Sequence, residues 1–218
     1  MYLEFIGLSG VGKTEIIKKC FQKKEIDLVD EFDLVKLSKP KYLLAFIAAL
    51  FLLLRISTIS FKSAIYLATS KAGLKLLLSL GSRKFSIARF SKKNNTLLVD
   101  SGVLIPFIES VMVDDLLWDE SLIKSILSIM PLPDVIIHVY TNENLSYQRF
   151  INRSYTKYSC SGKMDGVYIT RFKFSKANKC LLFILKHLEM KSIKIVHYNN
   201  KQQIDCQVLG DDIKSIIG

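Results

Sequence analysis

The sequence predicts an α/β protein with a mainly parallel central sheet, and three observations lead to this prediction. Short apolar strands alternate with helical patterns along the chain, which is the order that builds parallel sheets. The 218 residues are 50% apolar and include only 4 Pro and 10 Gly, so the chain can bury a sizeable core. No linker, repeat or low-complexity stretch divides the sequence, and we expect one domain over residues 1–218.

The N-terminal part reads as strand, glycine-rich turn, helix and strand. Tyr2–Ile6 alternates in the manner of a strand, and Lys13–Lys23 carries apolar residues at helical spacing. Glu25–Val29 predicts a second strand, and an acidic cluster that includes Glu31 and Asp33 follows it. After this cluster the pattern changes to long apolar runs.

Residues 34–95 predict an apolar and basic helical insert. Tyr42–Leu54 is an unbroken apolar run of 13 residues, which as a helix is about 20 Å long against about 30 Å of bilayer hydrocarbon. A buried or interfacial helix is therefore favoured, with a membrane-grazing hairpin and a true membrane span as alternatives. Ser63–Leu80 continues the helical pattern. This second helix is expected to have a basic face and an apolar face, formed by Lys71 and Lys75 and by Leu74, Leu77 and Leu78, respectively.

The insert also carries the positive charge of the protein. The whole chain has a net charge of +11, whereas residues 34–99 contain 12 Lys or Arg and no Asp or Glu. Such a segment either faces an anionic partner or keeps an apolar region in solution. Because basic amphipathic helices bind anionic lipid, we expect peripheral contact with a membrane. Nucleic acid is not expected as a partner, since the basic residues alternate with Leu and Ile rather than with exposed aromatic residues.

The C-terminal half again alternates strands and helices. Strands are predicted at Thr96–Val99, Val135–Tyr140 and Ile193–His197, and Ser154–Gly166 predicts a polar loop. Helices are predicted at Val103–Val113, Ser121–Met130, Asn144–Arg153, Ser175–Glu189 and Asp211–Ile217.

The most specific signal is the segment Gly7-Leu8-Ser9-Gly10-Val11-Gly12-Lys13-Thr14, which matches G-x-x-x-x-G-K-[ST] between a strand and a helix. Backbone N–H groups of such a loop wrap an anionic phosphate at the helix N-terminus. Lys13 is expected to reach the β- and γ-phosphates of a nucleotide, and the Thr14 hydroxyl is expected to hold Mg²⁺. The residues expected to bind MgATP are Gly7, Ser9, Gly10, Val11, Gly12, Lys13 and Thr14.

This loop resembles that of the P-loop NTPase superfamily, and two further segments resemble its nucleoside and nucleotide kinase branch, to which thymidylate kinases belong. Pro133–Tyr140 and the following helix are similar to the family's Pro-Asp strand entry and the arginine-bearing helix before its lid. Thr96–Gly102 is similar to the strand whose terminal acid serves magnesium or the acceptor. Its Asp-Ser-Gly ending resembles kinase-like proteins of polysaccharide gene clusters more than the Asp-Arg pair of thymidylate kinases. The resemblance implies a three-layer P-loop kinase fold, with an acceptor region at 34–95 and a lid at 149–171.

Acidic residues at the ends of two predicted strands are candidates for the chemistry. Asp100 is expected to hold Mg²⁺ or to accept the acceptor's proton, with a turn or helix-capping role as the alternative. Glu31 and Asp33 follow the second strand at the same edge and are weaker candidates for gripping acceptor hydroxyls. A solvated acidic loop is the alternative for these two.

Basic residues of the predicted lid form the remaining candidates. Arg149 and Arg153 are four residues apart and share one helix face, and guanidinium groups suit a triphosphate or a transferring phosphoryl group. Arg153 is the stronger candidate of the two, with an ordinary surface charge as its alternative. Lys157, Lys163 and Arg171 would complete a basic lid that closes over the nucleotide.

These observations favour an ATP-dependent small-molecule kinase whose acceptor is a sugar, polyol or nucleotide precursor in glycan synthesis. The alternative is a P-loop NTPase that acts as a regulatory or membrane-associated switch. No N-K-x-D sequence indicates a GTPase of the Ras type, and no G-x-S-x-G elbow indicates a serine hydrolase. The three histidines and four cysteines are scattered and do not indicate a site. The cysteines are expected to be reduced, as in the cytosol. We therefore expect a cytoplasmic protein at the inner face of the membrane, with its oligomeric state open.

Overall fold

A computed structural model describes the backbone of residues 1–20, 27–29, 39–91, 97–100, 102–113, 116, 118–159, 170–200 and 215. Side chains are described throughout these ranges except at 18–20, 27–29, 39–42, 89–91, 113 and 153–159.

In the described part of the chain, five parallel strands form the central sheet, in the order β2-β3-β1-β4-β5. The chain moves from the central strand β1 to β2 and β3 on one side and then to β4 and β5 on the other. In such sheets ligands bind at the carboxyl ends of the strands where this change of direction occurs. The strands are β1 (Tyr2–Ile6), β2 (Asp27–Val29), β3 (Leu97–Asp100), β4 (Val135–Tyr140) and β5 (Lys194–Asn199).

Helices flank the sheet, which confirms the predicted α/β fold with a parallel sheet. They are α1 (Lys13–Cys20), α2 (Lys39–Ile59), α3 (Phe61–Thr69), α4 (Lys71–Ser91), α5 (Ile105–Val113), α6 (Glu120–Ile129), α7 (Glu143–Ser159) and α8 (Arg171–Met190). All five residues of β1 are buried, and α5 and α8 pack against each other beside the sheet. The core is built around this central strand and includes the fully buried side chains of Phe5 and Phe174.

The apolar and basic insert is helical over residues 39–91, but it consists of three helices where the sequence predicts two. Serines cause both breaks. The Ser60 side chain accepts a hydrogen bond from the Ser63 backbone N–H at the start of α3. The Ser70 side chain accepts one from the Gly73 backbone N–H at the start of α4, at 3.0 Å. Each serine therefore caps the helix that follows it.

The two faces predicted for the second insert helix are also different in the structure. Leu77 is buried, but Leu74 and Leu78 are exposed beside Lys71 and Lys75. The pattern was ambiguous because apolar residues occur around most of this helix. Among the described residues, no helix is long and apolar enough to cross a bilayer.

Two helix boundaries in the C-terminal half differ from the prediction by four or more residues. Residues 154–159 belong to α7, whereas the sequence predicts that the polar loop begins at Ser154. The segment has no glycine or proline before Gly162, so nothing in it stops a helix. Helix α8 begins four residues earlier than predicted because Thr170 caps it by accepting a hydrogen bond from the Lys173 N–H. The closing helix predicted at Asp211–Ile217 lies outside the described residues except for Ser215.

Candidate active site

The loop between β1 and α1 turns sharply at two glycines. Gly10 and Gly12 both have φ +90°, a conformation that side-chain-bearing residues rarely adopt. A Cβ at Gly10 would also lie 2.2 Å from the carbonyl oxygen of Ser146 on α7. The Lys13 Nζ donates to the carbonyl oxygen of Gly7 at 2.7 Å. The loop is therefore tight, and the ammonium group of Lys13 is held against the backbone of the loop.

The Thr14 hydroxyl and the Asp100 carboxylate meet at the carboxyl edge of the sheet. Asp100 is the last residue of β3 and lies beside Phe5 of β1 in the parallel register. The Thr14 Oγ1 donates to the Asp100 Oδ2 at 3.1 Å. The Asp100 residue is 8% exposed, so its carboxylate is largely shielded from solvent. The structure thus brings together two residues that are 86 positions apart in the chain.

The Thr14 and Asp100 oxygens suit a Mg²⁺ site that is completed by substrate phosphates better than a metal site made of protein ligands alone. Neighbouring ligands of an octahedral Mg²⁺ lie about 2.9 Å apart, and the ion is commonly bound through one or two carboxylates plus substrate phosphates. The observed 3.1 Å between Thr14 and Asp100 is close to that spacing. Within the described part of the chain, no three His, Cys, Asp or Glu residues cluster as a metal site. The spacing of the Thr14 and Asp100 oxygens is thus compatible with Mg²⁺ bound together with a nucleotide.

Two side chains from distant elements hold the loop in place, and the sequence analysis did not identify them. The Ser146 Oγ on α7 donates to the carbonyl oxygen of Ser9 at 3.0 Å. Asn200, directly after β5, donates from its Nδ2 to the carbonyl oxygen of Val11 at 2.6 Å. Sequence separations of 137 and 189 residues explain why no local pattern revealed these contacts.

A buried glutamate on β1 fixes the chain just after Asp100. The Glu4 Oε1 accepts a hydrogen bond from the Leu104 N–H at 3.0 Å, and its Oε2 accepts one from the Val103 N–H at 3.2 Å. The Tyr2 hydroxyl donates to the same Oε2 at 2.6 Å. Burial raises the pKa of Glu4, whereas the bonds from Tyr2 and the backbone and the charge of Arg83 act in the opposite direction. Glu4 therefore anchors the turn that connects the candidate carboxylate to α5.

Helix α4 of the insert contributes to the same anchor. Arg83 is 2% exposed, and its Nη1 donates to the carbonyl oxygen of Gly102 at 2.9 Å. A Cβ at Gly102 would lie 2.4 Å from the Tyr2 hydroxyl, so the turn packs directly on β1. The insert is thereby connected to the chain that follows Asp100.

Two histidines that the sequence analysis treated as unrelated are in contact. His138 and His197 are direct partners in the parallel register of β4 and β5, and their Nδ1 atoms are 3.1 Å apart. Burial lowers the pKa of His138 to about 4, with further contributions from His197 and Lys13. His138 is therefore neutral at physiological pH. The pair was missed because register is decided by the sheet and not by either strand alone.

The predicted arginines share one helix, but they are not all described. Arg149 is exposed on α7. The backbone at Arg153 lies in α7 seven residues after Ser146, which places both positions on the same side of the helix. Arg171, at the start of α8, donates to the Asn144 Oδ1 on α7. The structure thus connects one predicted lid residue, Arg171, to α7.

Several other candidates lie outside the described residues. Glu31 and Asp33 of the acidic cluster belong to this group, as does Ser101. Of the further predicted lid residues, Lys157 is described by its backbone within α7 and Lys163 is not described.

Comparison with known proteins gives matches among solved structures only. No family model and no curated protein sequence matches the chain. A structure of deoxyadenosine kinase from M. mycoides with bound dATP is 12% identical, with a TM-score of 0.56 and coverage of 100% of this chain and 99% of the other. Thymidylate kinase from Candida albicans is 17% identical, with a TM-score of 0.54 and coverage of 99% and 90%.

A second structure of the M. mycoides enzyme, with the products dCMP and dCDP, is 13% identical and has a TM-score of 0.55. The match covers 100% of this chain and 98% of the other. At such low sequence identity, similarity over the whole length shows a shared backbone fold and nothing more. The chain has the P-loop kinase fold that nucleoside and nucleotide kinases share.

Proposed function

We propose that this protein is an ATP-dependent phosphotransferase that moves the γ-phosphoryl group of MgATP to a hydroxyl or phosphate group of a small molecule. The observation that carries the proposal is the 3.1 Å contact between the Thr14 hydroxyl and the Asp100 carboxylate beside a loop that contains Lys13. The fold supports it, because the similar structures are named as deoxyadenosine kinase and thymidylate kinase.

Each residue of this group has a defined role in the proposal. The N–H groups of the loop bind the phosphates, and Lys13 neutralises charge on the β- and γ-phosphates. Thr14 and Asp100 hold Mg²⁺, which when bound offsets the negative charge of the transferring phosphoryl group. Arg149 and Arg153 on α7 would add positive charge as the lid closes.

The acceptor we favour is a sugar, polyol or nucleotide precursor in glycan synthesis. The similar structures support small-molecule acceptors in general, since their names refer to a nucleoside and a nucleotide. Ser101 follows Asp100 where thymidylate kinases carry an arginine, so thymidine monophosphate is not the acceptor we favour. Glu31 and Asp33 are proposed to contact acceptor hydroxyls.

The proposal is tested by ³¹P NMR of the purified full chain with MgATP and separate pools of acceptors. The pools are nucleosides, nucleoside monophosphates, monosaccharides, polyols and a lipid extract. We expect a new phosphoester signal in one pool, together with ADP. The Lys13→Ala variant should lose this signal, because the ammonium that neutralises the phosphates is gone. Lys186→Ala removes an exposed lysine from α8 and is the matched control.

Other results would contradict the kinase assignment. Release of ADP and free phosphate in every pool, without a phosphoester, would favour the regulatory NTPase switch. Transfer that persists in Lys13→Ala would show that the loop is not the donor site.

We also propose that the protein is cytoplasmic and contacts an anionic membrane at its periphery. The support is the segment 34–99, with its 12 basic residues and no acidic residue.

A further inference from the structure

Helix α2 directs most of its large apolar side chains away from the protein. Between positions 43 and 54, seven of its residues are 40–65% exposed, although all are Leu, Ile or Phe. At about 100° per residue they cover an arc of about 160° on the helix. These outward residues, which we call the outer face of α2, are Leu43, Leu44, Phe46, Ile47, Leu50, Phe51 and Leu54.

The opposite side of α2 already packs against the rest of the fold. Its buried residues Ala45, Ala49, Leu52 and Ile56 are at most 6% exposed. The two alanines lie against α4, where a Cβ at Gly81 would be 2.6 Å from the Ala45 carbonyl oxygen. Small residues thus allow a close contact between the helices. The larger apolar residues of the outer face are not needed for this packing, so they are available to something outside the fold.

The exposed charged residues of the insert helices are all basic. Arg55 is exposed on α2 itself, and α4 exposes Lys71 and Lys75 beside Leu74 and Leu78. No acidic residue occurs between positions 34 and 99. Long basic side chains beside apolar ones can reach phosphate groups while their stems stay on apolar surface. This combination of charge and apolar area is complementary to an anionic lipid surface.

We propose that the outer face of α2 docks the protein on an anionic bilayer, with the helix lying parallel to the surface. Such helices bury their apolar face about 5–10 Å into the boundary between headgroups and acyl chains. The proposal identifies the surface for the peripheral contact proposed above and rests on that contact, not on the kinase assignment. A second copy of the chain fits this face less well, because a symmetric contact would bring two acid-free basic segments together.

Co-sedimentation of the full chain with vesicles tests the proposal. The vesicles consist of phosphatidylcholine alone or of phosphatidylcholine mixed with phosphatidylglycerol. We expect binding to the mixed vesicles at low salt and weaker binding at high salt. Phe51→Glu replaces an outer-face residue that is 65% exposed, and it should weaken binding about tenfold or more. Phe172→Glu changes a residue on α8 that is 78% exposed, and as the matched control it should bind like the unmodified protein.

Additional measurements separate the outcomes. Phe51→Ser removes the apolar ring without adding charge, and thermal unfolding by circular dichroism verifies that each variant is folded. Lys13→Ala should retain vesicle binding, so a failed kinase assay does not affect this test. The proposal is overturned if no binding occurs at low salt, or if both glutamate variants bind equally. It is also overturned if light scattering shows a dimer that Phe51→Glu dissociates, because the face then belongs to a second copy.

Discussion

His138 makes the stability of this protein depend on pH. Its pKa is about 4 in the folded chain, against 6.5 for an ordinary histidine. Between pH 6.5 and pH 4 the unfolded chain binds more protons than the folded chain. The stability that neutral His138 contributes is therefore fully present above pH 6.5 and is lost as the pH falls towards 4. Each pKa unit corresponds to about 1.4 kcal/mol. Integration of this difference gives a loss of about 2 kcal/mol between pH 7 and pH 5.

The substitution His138→Gln removes the titrating ring and keeps a side chain of similar size. Urea unfolding followed by circular dichroism at pH 7, 6 and 5 gives the unfolding free energy of both proteins. We expect the unfolding free energy of the unmodified protein, relative to that of the variant, to fall by about 2 kcal/mol from pH 7 to pH 5. Absolute stability differs for packing reasons, but that contribution does not change with pH.

A second variant examines the cause of the lowered pKa. His197→Gln removes the neighbouring ring and leaves His138 buried, and burial is the largest cause of the shift. This variant should therefore keep most of the pH dependence. If unmodified protein and His138→Gln lose stability in parallel from pH 7 to pH 5, the reasoning is refuted, because the folded state then accepts a proton on His138 without cost.

Three further substitutions test the candidate site and its supports. Asp100→Asn keeps an oxygen acceptor for Thr14 but removes the charge, so Mg²⁺ should no longer strengthen ATP binding in isothermal titration. An unchanged Mg²⁺ effect would exclude Asp100 as a ligand. Gly10→Ala should weaken ATP binding about tenfold or more and lower the unfolding free energy by about 1–2 kcal/mol, because φ is +90° and the new Cβ would meet Ser146. Normal binding would mean that the loop does not hold the phosphates. Glu4→Ala leaves two backbone N–H groups without their acceptor at the start of α5 and should lower the unfolding free energy by about 3 kcal/mol, whereas Glu4→Gln should lose less. Equal losses in urea unfolding would contradict the anchoring role.

Local signals in the sequence predicted most of the secondary structure. β1 and β4 have the predicted bounds, Tyr2–Ile6 and Val135–Tyr140, because short apolar runs with turn residues on both sides mark a strand clearly. The caps at Ser60, Ser70 and Thr170 were missed. Serine and threonine are common in loops as well. A serine or threonine can therefore be recognised as a helix cap only when the backbone N–H group that donates to it is known.

The candidate site was predictable to the extent that it is local. The glycine-rich loop with Lys13 is contiguous in sequence, and Asp100 could be placed because parallel strands end at the same edge. The supports of the loop could not be predicted in this way. Ser146 and Asn200 act through single hydrogen bonds that depend on where α7 and β5 meet the loop.

The sequence by itself determined the α/β order, the phosphate-binding loop and the concentration of positive charge in residues 34–99. These properties depend on neighbouring residues and on composition. Only the tertiary structure decided which side of α2 faces outward, because its unbroken apolar run over residues 42–54 has no periodic pattern to indicate a buried face. Its alanines fit the close contact at Gly81, and the larger side chains do not. Helix packing therefore directs the outer face of α2 away from the core.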